Sequence, residues 1–184
     1  MAVTPLHRHS KVKRMVVSTY QAASGAGAAA MRELELQTKE VLEGKPPTTK
    51  IFSRQVGLFV VNYSSFDNDV RVTATCIRVP VTRPHAESIN LQFENQLDEF
   101  LLNFLTDTAR EILKRSPGLV VIDDRTANNF PTPLEVSNKD DVAASRIRRL
   151  VSQEGNYGLD IFVCGDQIRE GAALNVVQIA EMLI

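Results

Sequence analysis

Three side chains in the sequence have types that could carry chemistry, and each stands close to the end of a strand-like run. Gln21 follows a valine-rich run and precedes a helical stretch, and a side-chain amide there offers both a donor and an acceptor. Arg78 and His85 stand seven residues apart in "CIRVPVTRPHAES". A guanidinium can bind a carboxylate in bidentate fashion, and an imidazole can exchange a proton near neutral pH. Taken alone, an arginine or a histidine in such a place is more often an ordinary surface residue.

Three explanations are open for the small residues that follow Gln21 in "STYQAASGAGAAAMREL". The stretch "GAGAAA" at 25–30 fits the loose dinucleotide-binding pattern G-x-G-x-x-A. However, it begins too far beyond the strand, and the acidic residues Glu40 and Glu43 lie within or at the end of a helix. Alternatively, the small residues let a helix start pack tightly against a sheet. The third explanation is part of an active site, because N–H groups at a helix N-terminus favour an anion or a polarised oxygen.

The composition is that of a single domain and excludes several classes of function. The chain has 184 residues, of which 43% are hydrophobic and 23% are charged, enough for one core. Its 21 basic and 22 acidic side chains give a net charge of −1, so we predict no binding to nucleic acid or to an acidic membrane. The basic run "HRHSKVKR" at 7–14 is interpreted as a solvated lead-in to a strand.

The apolar runs and the cysteines give no sign of a membrane-spanning or secreted protein. The longest apolar runs are far shorter than the roughly 20 residues that span a bilayer. The first residues resemble neither a secretory signal nor a transit peptide. Cys76 and Cys164 lie far apart in strand-like runs, and we expect them to be reduced, buried thiols. We therefore expect a soluble intracellular protein with no membrane contact and no metal site.

Hydrophobic periodicity predicts an α+β fold, a largely antiparallel mixed sheet with helices packed on one face. Alternating β-branched residues predict strands, and apolar residues at helical spacing with Gly or Pro stops predict helices. The segment "SRIRRLVSQEG" at 145–155 fits either type poorly. The predicted strands are 13–19, 69–83, 88–94, 119–124 and one that begins at 158, and the predicted helices are 31–42, 106–118 and about 171–184.

Four longer stretches, found in one order along the chain, carry a family signature. They are "VVSTYQAASGAGAAAM", "CIRVPVTRPHAESINLQFE", "VIDDRTANNFPTPLEVSNKDDV" and "GLDIFVCGDQIREGAALNVVQIAEML". Together they resemble aspartate-semialdehyde dehydrogenase of the plant and bacterial type, over 1–55, about 69–97 and about 106–184. The resemblance is to the second half of that enzyme. We therefore expect one semialdehyde dehydrogenase dimerisation domain over 1–184.

The resemblance implies a reaction and partners. In this family an NADP-binding half is joined to an α+β half that forms the subunit interface and supplies substrate-binding groups. A cysteine thiolate adds to the aldehyde, hydride passes to NADP, and phosphate cleaves the acyl-enzyme to aspartyl phosphate. This interconversion of aspartyl phosphate and aspartate semialdehyde lies on the route to lysine, threonine, methionine and isoleucine. The expected partners are a small-molecule substrate and either a second copy, as a homodimer, or a full-length subunit.

The family's site residues carry over one at a time. Gln21 matches the glutamine that orients the substrate at the acyl centre, where a neutral amide can hold the thiohemiacetal oxygen without neutralising the thiolate. Arg78 matches the arginine that binds the substrate carboxylate, and His85 matches the acid–base histidine. The residues that the resemblance places near the NADP cofactor are Ser24, Gly25, Gln167 and Asn175.

The chain also departs from the family pattern. The family's nucleophile lies in an Asn-Pro-Asn-Cys-Ser-Thr motif just before the residues that match 1–6, and neither Cys76 nor Cys164 stands where it could replace it. The NADP-binding half is absent as well, so we expect the chain alone to be inactive. Two segments, near 56–67 and 98–105, are atypical of the family and resemble mis-spliced or retained-intron sequence.

Three functional hypotheses follow from these observations. The first is the substrate-binding and dimerisation portion of an NADP-dependent aspartate-semialdehyde dehydrogenase. The second is a non-catalytic dimerisation or interaction protein derived from that enzyme. The third is a small NAD-binding protein that uses "GAGAAA", and it predicts NADP binding by the isolated chain. We expect a plastid location if the protein comes from a plant and a cytoplasmic one otherwise.

Overall fold

The computed structural model describes residues 1–52, 69–95 and 104–183. The predictions for 56–67 and 98–103 therefore lie outside the described residues. A 3-10 turn spans Ala23–Ala26 and an irregular turn spans Arg169–Ala173. The strands are β1 (Val12–Gln21), β2 (Arg71–Arg78), β3 (Pro84–Phe93), β4 (Leu119–Val121), β5 (Val142–Arg149) and β6 (Gly158–Asp166). The helices are α1 (Val3–His9), α2 (Ala28–Leu42), α3 (Phe104–Lys114), α4 (Pro133–Val136) and α5 (Leu174–Glu181).

The strands form one mixed sheet in the order β2-β1-β3-β6-β5-β4. The pairs β1–β3, β3–β6 and β5–β6 are antiparallel. The edge strands β2 and β4 run parallel to β1 and β5, respectively. The predicted α+β class with a largely antiparallel mixed sheet is thus confirmed.

Helices α1 and α3 pack on one face of this sheet and form the main core with it. Leu6 of α1 and Leu113 of α3 are fully buried, and they join a cluster that includes Leu91 of β3 and Ile161 of β6. Burial of such large apolar side chains is the main favourable contribution to folding. This face, called the core face below, also carries the candidate site at one end.

The short helix α4 lies on the opposite face, where Val136 packs in a cluster with Ala86 and Cys164. A capping box starts the helix, because the Thr132 hydroxyl accepts from the Glu135 N–H and the Glu135 carboxylate accepts from the Thr132 N–H. The pattern Thr-x-x-Glu with an early proline is a helix-start signal. Periodicity missed it because the helix is only four residues long. Of the described helices that pack against the sheet, α1 and α3 therefore lie on the core face and α4 lies on the other face.

Helix α1 is a second element that the sequence analysis does not predict. Its Val3 and Leu6 are both buried and, being three residues apart, lie on one side of a helix. The basic run at 7–14 spans the end of α1 and the start of β1, and its side chains Arg8, Lys13 and Arg14 are exposed. His7 fixes this corner, because its Nδ1 accepts a hydrogen bond from the Val12 N–H at 3.1 Å.

Replacing Leu6 by alanine is expected to lower the free energy of unfolding by about 3 kcal/mol, because a fully buried leucine is removed and a cavity is left. Urea unfolding of the 184-residue chain measures this change. Leu134→Ala is the matched control, since Leu134 is 87% exposed and its loss should change stability by less than about 0.5 kcal/mol. Equal effects of the two substitutions would contradict the placement of α1 in the core.

A bulge in β5 explains why 145–155 fitted no regular pattern. The register of β5 against β6 shifts between Ser145 and Arg148, and Arg146 has a positive φ of 48°. An extra residue in a strand breaks the alternation of inward and outward side chains. Ile147 is nevertheless fully buried, so the bulge keeps one apolar side chain in the core.

Helix α5 and the residues just after it leave large apolar side chains exposed. Several large exposed apolar side chains close together in the sequence are typical of an interaction surface. Within the described ranges, no helix has the length and apolar character needed to cross a membrane. The exposed side chains are Val176, Val177, Ile179, Met182 and Leu183.

Candidate active site

The strand register places Gln21, Arg78 and His85, three of the predicted site residues, at one end of the core face. Partner residues in neighbouring strands point to the same face of a sheet. Arg78 is the partner of Gln21, and His85 is the partner of Gly165. Behind these pairs, towards the core, stand the rows Cys76–Thr19–Glu87–Val163 and Ala74–Val17–Ile89–Ile161.

Arg78 is a buried cation at the end of β2, with only 9% of the residue exposed. Its Nη1 donates a hydrogen bond to the Ala22 carbonyl, whereas its Nε has no hydrogen-bond partner in the described part of the chain. Among the described residues, no carboxylate forms an ion pair with it. Burial lowers the pKa of Arg78 from its usual value, yet a guanidinium stays charged. A buried charge without a partner is costly, and the described residues supply no anion to offset the charge of Arg78.

The turn Ala23–Ala26 is held against the loop between β2 and β3. The Ala23 N–H donates to the Val81 carbonyl at 2.7 Å, and the Ser24 N–H donates to the Thr82 carbonyl at 2.9 Å. These bonds continue the β1–β2 ladder beyond the end of β1. The chain therefore cannot move the turn without breaking backbone hydrogen bonds.

Gly25, in this turn, lies directly against the two charged or titratable side chains of the site. A Cβ atom on Gly25 would stand 3.0 Å from Nη1 of Arg78 and 3.4 Å from Nε2 of His85. The side chains of Arg78 and His85 therefore meet beside Gly25. Gly25 is exposed and has no side chain, so a ligand can reach Arg78 and His85 from solvent at this position.

His85 is half-buried, and its orientation is set by the backbone. Its Nδ1 accepts a hydrogen bond from the Ala22 N–H at 3.1 Å. Burial is the largest influence on its titration and, together with the charge of Arg78, lowers the pKa of His85 to about 4. The Pro84 backbone and the charge of Asp166 act weakly in the opposite direction. The imidazole is therefore neutral at physiological pH.

Ser24 and Gln167, both predicted near the cofactor, are in direct contact. The Gln167 side-chain amide donates to the Ser24 hydroxyl at 2.9 Å, and that hydroxyl donates to the Arg83 carbonyl at 2.8 Å. Ser24 follows β1 and Gln167 follows β6, so one hydrogen bond joins the ends of two strands that are not neighbours in the sheet.

Asp166 fixes the loops around the site. Its carboxylate is fully buried and accepts from Arg83 Nε at 2.9 Å, from the Asn138 N–H at 2.7 Å and from the Ile168 N–H at 3.0 Å. Burial acts to raise the pKa of Asp166, but the Asn138 N–H, the Arg83 guanidinium and the Ile168 N–H outweigh it and hold the pKa below its usual value. Asp166 therefore ties the loop before β3 to the loop before β5.

A cavity of about 340 Å³ opens beside His85, and Gln167 and Asn175 line it as well. In the amide orientation that satisfies its neighbours, Asn175 donates to the Glu170 carboxylate at 3.0 and 3.1 Å and accepts from the Gly171 N–H at 3.1 Å. Gln167 and Asn175, which the resemblance places near the cofactor, thus line the same cavity as His85. The Asn175 amide, however, is already engaged by its own turn.

Sequence reasoning missed two polar groups that stand in the row behind His85. Glu87 lines the cavity, and burial raises its pKa. The Thr19 hydroxyl is buried, and no residue of the described ranges bonds to it. Strand alternation was the available signal for Glu87, because residues two apart on β3 face the same side. Thr19 carried no such signal, since its place depends on the pairing of β1 with β3.

The two cysteines of the sequence are both buried in strands. Cys76 is 0% and Cys164 is 1% exposed. Burial, with a smaller contribution from the nearby Glu135, raises the pKa of Cys164 to about 12, so this thiol stays protonated. Within the part of the chain that the structure describes, no three His, Cys, Asp or Glu side chains are grouped so that they could hold a metal ion.

Comparison with known protein families decides the relationship. The family model described as "Semialdehyde dehydrogenase, dimerisation domain" matches residues 3–70 and 61–170. The chain belongs to this family. The resemblance read from the four sequence stretches is thereby confirmed.

Similarity to individual proteins of known name supports the same family membership. The chain is 41% identical over 206 residues to the aspartate-semialdehyde dehydrogenase of a Synechocystis species, covering all of this chain and 58% of that enzyme. It matches the crystal structure of Vibrio cholerae aspartate semialdehyde dehydrogenase II complexed with ASA at a TM-score of 0.85 and 30% identity, over 99% of this chain and 57% of that one. The Candida albicans enzyme with NADP shares the fold, at a TM-score of 0.62 and 20% identity, over 99% of this chain and 53% of that one. The chain thus spans less than two thirds of these proteins.

Proposed function

We propose that this chain is the substrate-binding and dimerisation portion of an NADP-dependent aspartate-semialdehyde dehydrogenase. The observation that carries the proposal is the buried Arg78, which lacks an anionic partner among the described residues and touches the same point as His85. A substrate carboxylate would supply the missing charge. The names of the relatives indicate which carboxylate-bearing substrate this is.

Each residue has a distinct task in the proposed reaction. Arg78 binds the carboxylate of aspartate semialdehyde, with one N–H already used to hold its guanidinium against the Ala22 carbonyl. Gln21, beside Arg78 in the sheet, orients the aldehyde group through its amide. His85 presents Nε2 towards Gly25, where the reacting oxygen would lie.

The residues near Gly25 fit the reactive end of NADP, which would supply the hydride acceptor when bound. Gly25 is exposed and has no side chain, so a flat ring can approach the His85 side of the site. Ser24, the residue before Gly25, is held in place by the hydrogen bond that its hydroxyl accepts from the Gln167 amide. Asn175 lines the neighbouring cavity and would border the same ligand. The Candida albicans relative, whose crystal structure is of the enzyme with NADP, supports this choice of cofactor.

The described chain contributes binding and orientation but no nucleophile. Cys76 and Cys164 are buried, and a thiolate is required for the proposed covalent step. We therefore propose that the 184-residue chain alone has no turnover and that its activity needs a cysteine and an NADP-binding half from elsewhere. The proposed pathway role is the synthesis of lysine, threonine, methionine and isoleucine. A plastid location for a plant protein stays a prediction.

Pairing of two copies is the second part of the proposal, supported by the family description as a dimerisation domain. The face of β1 opposite to the core face carries the half-buried Val16 and Ser18 and the exposed Tyr20, side chains that suit a second sheet. The alternative partner is a full-length subunit. A non-catalytic interaction protein would pair through the same face. This alternative differs from the proposed function in one way, because it predicts no turnover even when the chain is part of a longer protein.

The proposal is tested by a chimera in which residues 1–184 replace the matching segment of the Synechocystis enzyme. NADPH formation from aspartate semialdehyde is expected in the chimera and not in the isolated chain. Omission of phosphate is the control, because the proposed acyl-enzyme is released only by phosphate. Turnover by the isolated chain would overturn the assignment of its mechanism.

A further inference from the structure

We propose that Glu33 is a positioning residue for the candidate site and affects the rate of the proposed reaction without touching the substrate. The inference rests on the proposed function, because it concerns the turn Ala23–Ala26, which lies against Arg78 and His85. Glu33 acts on this turn through Phe52, which packs in one cluster with Ala23.

Glu33 is a buried carboxylate on α2, with 6% of the residue exposed. Its Oε2 accepts hydrogen bonds from the Lys50 N–H at 3.0 Å and from the Ile51 N–H at 2.6 Å. Its Oε1 accepts from the Phe52 N–H at 3.0 Å and from the Gln37 side-chain amide at 3.2 Å. Hydrogen bonds to an ionised acceptor are stronger than neutral ones. One carboxylate therefore fixes three consecutive residues of the chain beside α2.

The donors around Glu33 keep it ionised at neutral pH. Burial acts to raise the pKa of Glu33, but the three backbone N–H groups and the Gln37 amide outweigh burial and hold the pKa below its usual value. A glutamine in this place would turn its NH2 group towards N–H donors in either orientation, because both oxygens of the carboxylate accept from N–H groups. Glu33→Gln is therefore a change of nearly equal size that breaks part of this hydrogen bonding.

Phe52 transmits the position of the fixed segment to the turn. Its side chain is 3% exposed and packs with Ala23, Ala30 and Leu34, which together are called the Phe52 cluster below. Ala23 has only a methyl group, so its position depends on the larger side chains that pack around it. The Ala23 N–H also donates to the Val81 carbonyl at 2.7 Å. The turn is thus held by the loop between β2 and β3 and by the Phe52 cluster.

The position of the turn matters for the reaction because the residue before it orients both functional side chains. The Ala22 N–H donates to Nδ1 of His85 at 3.1 Å, and the Ala22 carbonyl accepts from Nη1 of Arg78. A shift of the turn would therefore move Arg78 and His85 together. Misplacing a catalytic group by about 1 Å can cost about 100-fold in rate. A residue that only stabilised the fold would leave the site of the folded protein unchanged.

Amide hydrogen exchange of the 184-residue chain tests the link without any need for turnover. In Glu33→Gln we expect the Ala23 N–H to exchange about tenfold faster, relative to the N–H of Ile161 in the central sheet, than in the parent chain. Leu6→Ala is the control, because Leu6 belongs to the main core and not to the Phe52 cluster. It lowers stability but should not raise this ratio.

In the chimera, Glu33→Gln is expected to lower kcat/KM for aspartate semialdehyde by about ten- to a hundredfold. Leu6→Ala should keep the parent value under conditions where circular dichroism shows a folded protein. Should Glu33→Gln fail to fold, Phe52→Leu takes its place, because it leaves the hydrogen bonds of Glu33 intact and changes only the packing against Ala23. We expect it to change the exchange ratio and kcat/KM in the same directions.

Two results would overturn the inference. An exchange ratio that stays at the parent value would show that Glu33 only anchors the segment after α2. Equal losses of kcat/KM in Glu33→Gln and Leu6→Ala would show that lost stability, and not a moved turn, lowers the rate. If the parent chimera forms no NADPH, the proposed function fails, and the exchange ratio alone then decides whether Glu33 positions the turn.

Discussion

In the chimera, Arg78→Gln is expected to lower kcat/KM for aspartate semialdehyde by about two to three orders of magnitude. The reason is that a buried carboxylate–guanidinium pair loses one partner, a change that costs about 3–4 kcal/mol, with each 1.4 kcal/mol corresponding to about tenfold. Steady-state NADPH formation at low substrate concentration measures the ratio. Circular dichroism of the same samples shows that the sheet is intact.

Two further substitutions make the Arg78 prediction specific. Arg71→Gln removes an arginine from the same strand, but Arg71 is exposed, so kcat/KM should stay unchanged. Arg78→Lys keeps the charge but not the planar pair of donors, and we expect it to lose most of the activity as well. An Arg78→Gln chimera as active as its parent would show that the substrate carboxylate binds elsewhere.

Asp166→Ala is expected to lower the free energy of unfolding by about 4 kcal/mol. The substitution leaves the Arg83 guanidinium and the N–H groups of Asn138 and Ile168 without their acceptor, and a broken buried ion pair typically costs about 3–5 kcal/mol. Urea unfolding at neutral pH measures the loss. Asp141→Ala is the matched control, because Asp141 is exposed and surface substitutions change stability by about 0.5 kcal/mol or less.

The same residue predicts a pH dependence of stability. The pKa of Asp166 is lower in the folded protein than its ordinary value, so its contribution is present at neutral pH. That contribution is lost as the pH falls below the ordinary value and through the folded one. Unfolding curves at falling pH should therefore converge for the parent chain and Asp166→Ala. A constant difference between them down to the acid limit would contradict the buried ionised carboxylate.

The predicted strands and long helices were recovered because their patterns are local. The alternation in β2 and the helical spacing in α2 are visible within a dozen residues, and the structure places both elements. Helix α1 has only two buried side chains, Val3 and Leu6, which is too few for a periodic signal. The bulge at Arg146 hides the strand β5 for a different reason, since it reverses the alternation that identifies a strand.

The candidate site was predicted in part because its residues follow family motifs, whereas their meeting depends on the register. Arg78 and Gln21 become neighbours only through the parallel pairing of β1 with β2. The local sequence of either strand does not show which strand it will pair with. The hydrogen bond from Gln167 to Ser24 joins residues 143 positions apart, so no local sequence pattern predicts it. Asp166 is similar, because an aspartate in a turn is usually solvated and its burial follows from three distant partners.

The most direct measurement is the rate of NADPH formation by the chimera with aspartate semialdehyde, with and without phosphate. We expect turnover that requires phosphate and that falls with Arg78→Gln, since Arg78, Gln21 and His85 then bind and orient the substrate for a cysteine supplied by the other half. A folded chimera that binds NADP but forms no NADPH would show that these residues do not make a working site.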